Sequence, residues 1–399
     1  MSGGVLSGIR VVDLSSVVVG PLATQILADH GADVIKVEGP KGDIGRYLAG
    51  RGRSEGMSPK YLHLNRNKKS ICLDLKKPAG YDALAKLLKT ADVLVWNVRP
   101  ESMSRLRLDY ETVRQIKPDI VYCGMFGFSQ KGCYRSMPAY DSIIQGVSGM
   151  ADLNRRTQGK PSYVPYVLAD RSAGLVAVQM IMMALFHRER TGEGQRIEIP
   201  MYENMVTQVM TEHMYLATFD PPLGGMGDPR VLDPDNAPIP TLDGYVCISA
   251  NTDAQAHALF DAIGRPELKT DPRYATVSAR FENVREYFQI RREALAQRTT
   301  EEWMEIFKRT DVPAAPYNTL ESLMTDPHLQ EVGLFQRREH PSEGTIVDIA
   351  PANILSAGMR EDWIPAPKLG QDTAKILEEI GYGPDAIQAL LDSGAARST

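Results

Sequence analysis

The 399 residues contain only four cysteines, Cys72, Cys123, Cys133 and Cys247, and no two stand in C-x-x-C spacing. Such sparse usage excludes a disulfide framework and a cysteine zinc site, and it fits reduced thiols. Basic residues are not in excess: 45 Lys plus Arg face 50 Asp plus Glu, for a formal charge of −5. The broad basic surface that a phosphate backbone needs is therefore missing, and nucleic acid is not expected as a partner. Long apolar runs are missing too. The longest, Ala173 to Phe186, covers 14 residues, short of the roughly 18 that span a bilayer, so a buried helix and no membrane contact are expected. The opening MSGGVLSGIRVVDL has no basic leader followed by an apolar core; a cytoplasmic chain is the expectation.

Nucleotide and metal motifs are absent as well. The turn after the first apolar run, SSVVVGPLAT, carries one glycine where a dinucleotide fold needs G-x-G-x-x-G, and no G-x-x-x-x-G-K-[ST] occurs. The seven histidines show no H-x-x-x-H or H-E-x-x-H spacing, and there is no G-x-S-x-G elbow. No metal and no prosthetic cofactor are expected.

What is present is regular alternation. Arg10–Leu14, Asp33–Val37, Ser70–Leu75, Asp92–Trp96 and Asp119–Met125 read as strands. Between them lie helical spacings at Leu22–Asp29, Gly80–Thr90 and Tyr110–Ile116. Strands and helices at this pitch make βαβ units, so the fold class is α/β with a Rossmann-like parallel sheet. A helix near Tyr140–Met150, the apolar helix 173–186, a strand at Gln195–Ile199 and a helix at Tyr202–Phe219 continue the pattern. Six prolines between Asp220 and Pro240 mark a linker. Beyond it, Gly244–Ala250 reads as a strand and several helices follow, one opened by a Thr299/Glu302 capping box. The expected domains are a large one over 1–219, a linker at 220–240 and a small α+β domain over 241–325.

One segment carries candidate chemistry. In YVPYVLADRSAGLVA, Asp170 precedes the small residues Ser172, Ala173 and Gly174, which let another group approach. A carboxylate at a helix start reads most simply as an N-cap; the functional reading is a nucleophile for an activated acyl group.

Several separated segments now bear on that choice. GIRVVDLSSVVVGPLATQILADHGADVIKVEGPKGD opens the chain, and LNRNKKSICLDLKKPAG, DVLVWNVRPESMSRLRLDYE, PAYDSIIQGVSG, LADRSAG, TGEGQRIEIPMYENM, DGYVCISAN, VPAAPYNTLESLMTDPHL and APKLGQDTAKIL follow. In these segments, in this order, the chain resembles the class III coenzyme A-transferases over nearly its whole length. The resemblance implies an enzyme that moves CoA from an acyl-CoA thioester to a free carboxylic acid, with CoA as substrate rather than prosthetic group. It places Asp170 as the nucleophile that forms an aspartyl anhydride and then an aspartyl-CoA thioester. It carries CoA contacts to Val17, Val18, Leu73, Lys76, Asn97, Val98, Arg99 and Arg105. Many relatives have arginine where this chain has Gly39, and Lys41 or Arg46 is the expected substitute. Arg171, beside the nucleophile, hints at a carboxylate-bearing acceptor. Gly224–Gly227 matches a mobile glycine loop only loosely, and a plain linker remains an equal reading. The resemblance further implies an interlocked homodimer, with residues 326–399 returning to complete the large domain. Two rivals stay open: an α-methylacyl-CoA racemase, weakened because Tyr140 of Ala139-Tyr140-Asp141 replaces the histidine base, and a non-catalytic CoA-binding module.

Overall fold

The computed structural model of the protein describes residues 3–358 and 360–399. Six parallel strands form its main sheet: β1 (Arg10–Asp13), β2 (Asp33–Glu38), β3 (Lys68–Leu73), β4 (Val93–Trp96), β5 (Val121–Phe126) and β6 (Gln195–Pro200). Their order is β3-β2-β1-β4-β5-β6, so the direction of winding reverses between β1 and β4. Helices cover both faces, which is why the central strands β4 and β5 are almost continuously apolar, whereas β6, at the sheet edge, alternates. Val11, Val12, Ile35, Ile71, Val93, Leu94 and Val121 are all fully buried.

The chain divides into two compact units. The first holds the chain up to Ser148, Val164–Thr207 and the tail from Val332; the second holds Gly149–Tyr163 and Gln208–Glu331. Residues 149–163 and 208–219, which the sequence reading assigned to the large domain, lie in the second unit. The reason is local. Helix Met150–Gln158 buries none of its residues, and its Arg156 Nη1 donates to Met226 O at 3.1 Å. Gly227 N in turn donates to His213 O at 2.8 Å, so the later half of the Gly224–Gly227 loop is tied down on both sides. Within this unit β7 (Ile239–Pro240), β8 (Tyr245–Ile248) and β9 (Ala314–Pro316) form an antiparallel sheet. Helix Thr300–Thr310 opens with the capping box of Thr299 and Glu302 and stacks Trp303 on Phe307 in the core.

The tail is built into the first unit. After the hairpin of β10 (Phe335–His340) and β11 (Gly344–Ile349), helices Thr373–Glu379 and Pro384–Asp392 pack Ile376, Leu377 and Leu390 into the same core as Ile35, Ile71 and Leu84. The last strand, β12 (Ala396–Arg397), pairs antiparallel with β3 and closes that edge of the sheet.

The long apolar helix differs from its sequence reading. It runs Leu168–Thr191, 24 residues, because the polar turn before the apolar run and the charged turn after it are helical too; Gly192, at φ 77°, ends it. Among the described residues it is the one helix whose length and composition would suffice to cross a membrane. It is not wholly buried either. Ala169, Ala173, Ala177, Ile181 and Ala184, spaced three or four apart, face inward. Leu175, Met183 and Phe186 lie on the other side, 51%, 63% and 64% exposed. The inward stripe is small so that the helix can press on its neighbour Val19–Asp29; a Cβ on Gly174 would stand 2.9 Å from Val19 O.

Candidate active site

A cleft of about 740 Å³ opens beyond the carboxyl ends of β1, β4, β5 and β6. It lies at the reversal of strand order, where open parallel sheets bind their ligands. Asp170 reaches it from the first turn of the long helix.

The N-cap reading of Asp170 fails. Asp141, at the start of helix Asp141–Val147, accepts the N–H groups of Ala169 at 2.8 Å and Asp170 at 3.2 Å. Its other oxygen takes Gln145 Nε2 at 2.7 Å. The capping role thus falls to a residue 29 positions earlier, and the Asp170 carboxylate is left without that duty. Burial pushes Asp170 up to about 6; Asp141 adds repulsion, while Lys60 and Arg171 oppose the rise. A raised carboxyl pKa in a cleft marks a candidate functional group. Tyr140 lines the cleft but carries no imidazole where a racemase would have its base, and Asp141 is committed to the helix start.

The loop between β1 and helix Val19–Asp29 contributes Ser16, Val17 and Val18 to the cleft, and the helix adds Val19. Val17 sits at φ 68°, a left-handed conformation that costs a β-branched residue of the order of 1–3 kcal/mol. Asp43 holds it there, accepting Val17 N at 3.0 Å. The helix that follows has no side-chain cap.

A buried ion network anchors this loop. Lys36 Nζ lies 2.9 Å from Asp43 and donates to Ser15 O at 2.8 Å, with no exposed side-chain surface. Lys68 Nζ reaches Asp13 at 3.2 Å and Thr24 Oγ1 at 2.8 Å. Burial alone would raise Asp13, but Lys68 and Lys36 bring it down to about 2; burial in turn lowers Lys68 to about 8 against the pull of Asp13. Nothing in the sequence flagged these lysines, because a lysine inside a strand normally points to solvent. Removing one partner of a buried pair typically costs about 3–5 kcal/mol. Lys36→Met is therefore expected to lower unfolding stability by that amount in urea titrations, and a loss under about 1 kcal/mol would argue against the anchoring role.

The residues expected to contact CoA divide into three groups. Val17, Val18, Val98 and Arg99 line the cleft, and Arg99 makes no ion pair among the described residues. Asn97 lines it as well, yet its side chain is spent on the loop: Oδ1 accepts Ser16 N at 2.9 Å and Nδ2 donates to Ser16 O at 2.8 Å. It positions the wall rather than offering free donors. Leu73, Lys76 and Arg105 do not line the cleft. Leu73 is fully buried in β3 opposite Ala396, Lys76 is exposed after that strand, and Arg105 donates to Ser102 Oγ at 3.0 Å.

Two further expectations are corrected. Arg46 does not replace the arginine missing at Gly39, because it is buried in a bidentate pair with Glu38 (2.7 and 2.8 Å) and bonded to Tyr61 Oη at 2.6 Å. Lys41 stays exposed. Arg171 does not face the Asp170 cleft; it lines a separate hollow with Gln25, Lys60 and Arg66. One residue escaped the sequence reading, since Arg135 adds a second cleft guanidinium free of ion pairs among the described residues.

The sequence matches CoA-transferase family III over residues 6–373. It is 34% identical to the succinate–glutarate CoA-transferase of Agrobacterium fabrum, covering 94% of this chain and 95% of that one. It is 31% identical to the human succinyl-CoA:glutarate CoA-transferase (98% and 89% covered). Against a formyl-CoA:oxalate CoA-transferase of Escherichia coli it is 30% identical, with 98% and 99% covered. A solved CaiB/BaiF family protein from Brucella suis superposes with a TM-score of 0.78 at 30% identity, covering 95% of this chain and all of that one. Matched across nearly its whole length in sequence and fold, the chain belongs to CoA-transferase family III and is an enzyme that transfers CoA.

Proposed function

We propose that Asp170 carries the transfer covalently, exchanging CoA between an acyl-CoA donor and a free carboxylic acid. The observation that supports this most is the uncommitted, half-buried Asp170 carboxylate in the cleft, with Asp141 capping the helix in its place. An Asp170 oxygen attacks the donor thioester carbonyl, forming a mixed anhydride and expelling CoA thiolate. The thiolate attacks the aspartyl carbonyl, releasing the donor acid and leaving an aspartyl-CoA thioester. The acceptor carboxylate displaces the thiolate to form a second anhydride, and the thiolate then takes the acceptor acyl group and frees Asp170. One thioester is exchanged for another, so no external energy source enters. A carboxylate is a weak nucleophile, and positioning by the rigid loop has to supply much of the barrier reduction.

Arg99 and Arg135 suit the phosphates of CoA or a distal carboxylate. The relatives at 30–34% identity act, by their names, on succinate, glutarate and oxalate, and a short dicarboxylic acid is the proposed acceptor class. Incubation with succinyl-CoA and hydroxylamine tests the covalent step. It should inactivate the enzyme and add a hydroxamate mass to the peptide containing Asp170; modification elsewhere, or none, refutes the mechanism.

The pH dependence follows from the elevated Asp170. Only the ionised carboxylate attacks, so kcat/KM should be flat above pH 7 and fall tenfold per unit below about 6. A profile still flat at pH 5 would show that another group limits the rate.

The exposed apolar side of the long helix, with Leu175, Met183 and Phe186, suits cover by a second copy of the chain. A homodimer interlocked as in the resembled family is the proposed assembly. Light scattering should report twice the 44.1 kDa chain mass at all dilutions that preserve native circular dichroism. A folded 44.1 kDa species would overturn it.

A further inference from the structure

The second unit has a small cavity of its own, about 50 Å³, between β8 with the loop that follows it and helices Val277–Glu282 and Val284–Leu295. Three arginines line it, Arg230, Arg280 and Arg291, and no acidic residue does. Arg291 is 7% exposed. Its Nη2 donates to Ile248 O at 3.3 Å, its Nε has no partner, and no carboxylate lies within ion-pair distance among the described residues. The guanidinium lies over the rings of Phe288 and Tyr287, at 4.8 and 5.4 Å, and the neutral Tyr287 hydroxyl also interacts with it.

The other two arginines play different parts. Arg280 is neutralised by Asp253 at 2.8 Å and fixed by Tyr274 O at 2.9 Å. Arg230, half-buried, has no ion pair among the described residues and sits 5.6 Å from the Phe281 ring. The cavity therefore faces one buried and one half-buried guanidinium without counter-charge. A buried cation without an anion is costly, by several kcal/mol, and such groups are normally paired. Aromatic faces repay only part of that, about 0.5–2 kcal/mol.

We propose that this cavity is a binding site for the carboxylate group of a small organic acid, held by Arg291 and Arg230. Its size, about four waters at roughly 10–15 Å³ each, admits a carboxylate and a short aliphatic stem. The remaining walls suit that shape: Ser249 and Asn251 supply polar atoms, and Val277 and Val284 supply an apolar side. A planar carboxylate accepts two bonds from a guanidinium fork, and the apolar side disfavours an inorganic anion that must stay hydrated all round. All lining residues belong to the second unit, whereas Asp170 and its cleft residues belong to the first. That the physiological ligand is an acid consumed or released by the transfer rests on the proposed function; the binding site itself does not.

The test is calorimetric titration of the full-length enzyme, free of CoA, with sodium propionate, and with phosphate and chloride as comparators. Propionate should bind saturably at one site per chain. Arg291→Met should weaken it at least tenfold, a change of about 1.4 kcal/mol. Arg230→Gln should weaken it several-fold, and Asp170→Ala should leave it unchanged. If Arg291→Met does not fold, Arg230→Gln decides. The proposal is overturned if propionate shows no saturable binding into the tens of millimolar, if both arginine variants bind as the wild type, or if phosphate binds better than propionate. Loss of binding in Asp170→Ala would also overturn it, placing the acid in the cleft. A hydroxamate on Asp170 in the separate succinyl-CoA experiment is independent of all these outcomes.

Discussion

Asp170→Ala is expected to reduce CoA transfer by at least about 10³-fold while the enzyme stays folded, because a covalent nucleophile has no substitute in the cleft. Each tenfold corresponds to about 1.4 kcal/mol of barrier, so a variant keeping a tenth of its activity would rule out a nucleophilic role. Folding should survive because the helix start is capped by Asp141, not Asp170. Stability should even rise at neutral pH. The folded-state pKa of Asp170 is raised from 3.8 to about 6. A raised value means its stabilising contribution is present below pH 3.8 and lost as pH climbs through 6. Above that, the buried charge costs at most about 3 kcal/mol, at 1.36 kcal/mol per unit. Asp170→Asn should therefore be more stable than wild type at pH 8 and about equal at pH 4, as read by urea midpoints. Equal midpoints at both pH values would show that the carboxylate is solvated, contrary to its position.

Ending the chain at Glu331 is expected to abolish folding of the first unit. The missing tail supplies Ile376, Leu377, Leu390, Ala395 and Ala396 to the main core and β12 to the sheet edge. It also removes Asp348, which pairs with Arg66 at 3.2 Å, and the Pro367 carbonyl that receives Arg46. Loss of a single large core side chain costs about 2–5 kcal/mol, and three large ones together reach the whole stability of a typical domain, about 5–15 kcal/mol. Insoluble or molten material lacking near-ultraviolet dichroism is the expected product. A soluble truncated chain with a cooperative unfolding transition would show that the tail is dispensable.

Much of the architecture was legible in the linear sequence, because it rests on local periodicity. Short apolar runs separated by helical spacings gave β1–β6 to within a residue or two, and Thr299 with Glu302 announced their helix. Asp170 could be nominated too, through its small neighbours and the family resemblance. The one-dimensional pattern could not show which carboxylate caps the helix, since Asp141 and Asp170 meet only when two helices pack. It also could not show that Arg46, chosen as a free cation, is consumed by Glu38, or that Leu73 turns into the core.

The division has one physical cause. Amino-acid order by itself determined which segments become strands and helices, the α/β class and the family, because those depend on side-chain spacing and motif order. Tertiary structure alone decided which charges are spent and which are left free. Lys36, Lys68 and Arg46 are as charged as Arg99 and Arg135, yet the first three are locked under a covered sheet and the last two line the cleft. A charge becomes available for chemistry only when folding leaves it without a partner, and folding brings Lys36 to Asp43, Arg46 to Glu38 and Lys68 to the distant Asp13.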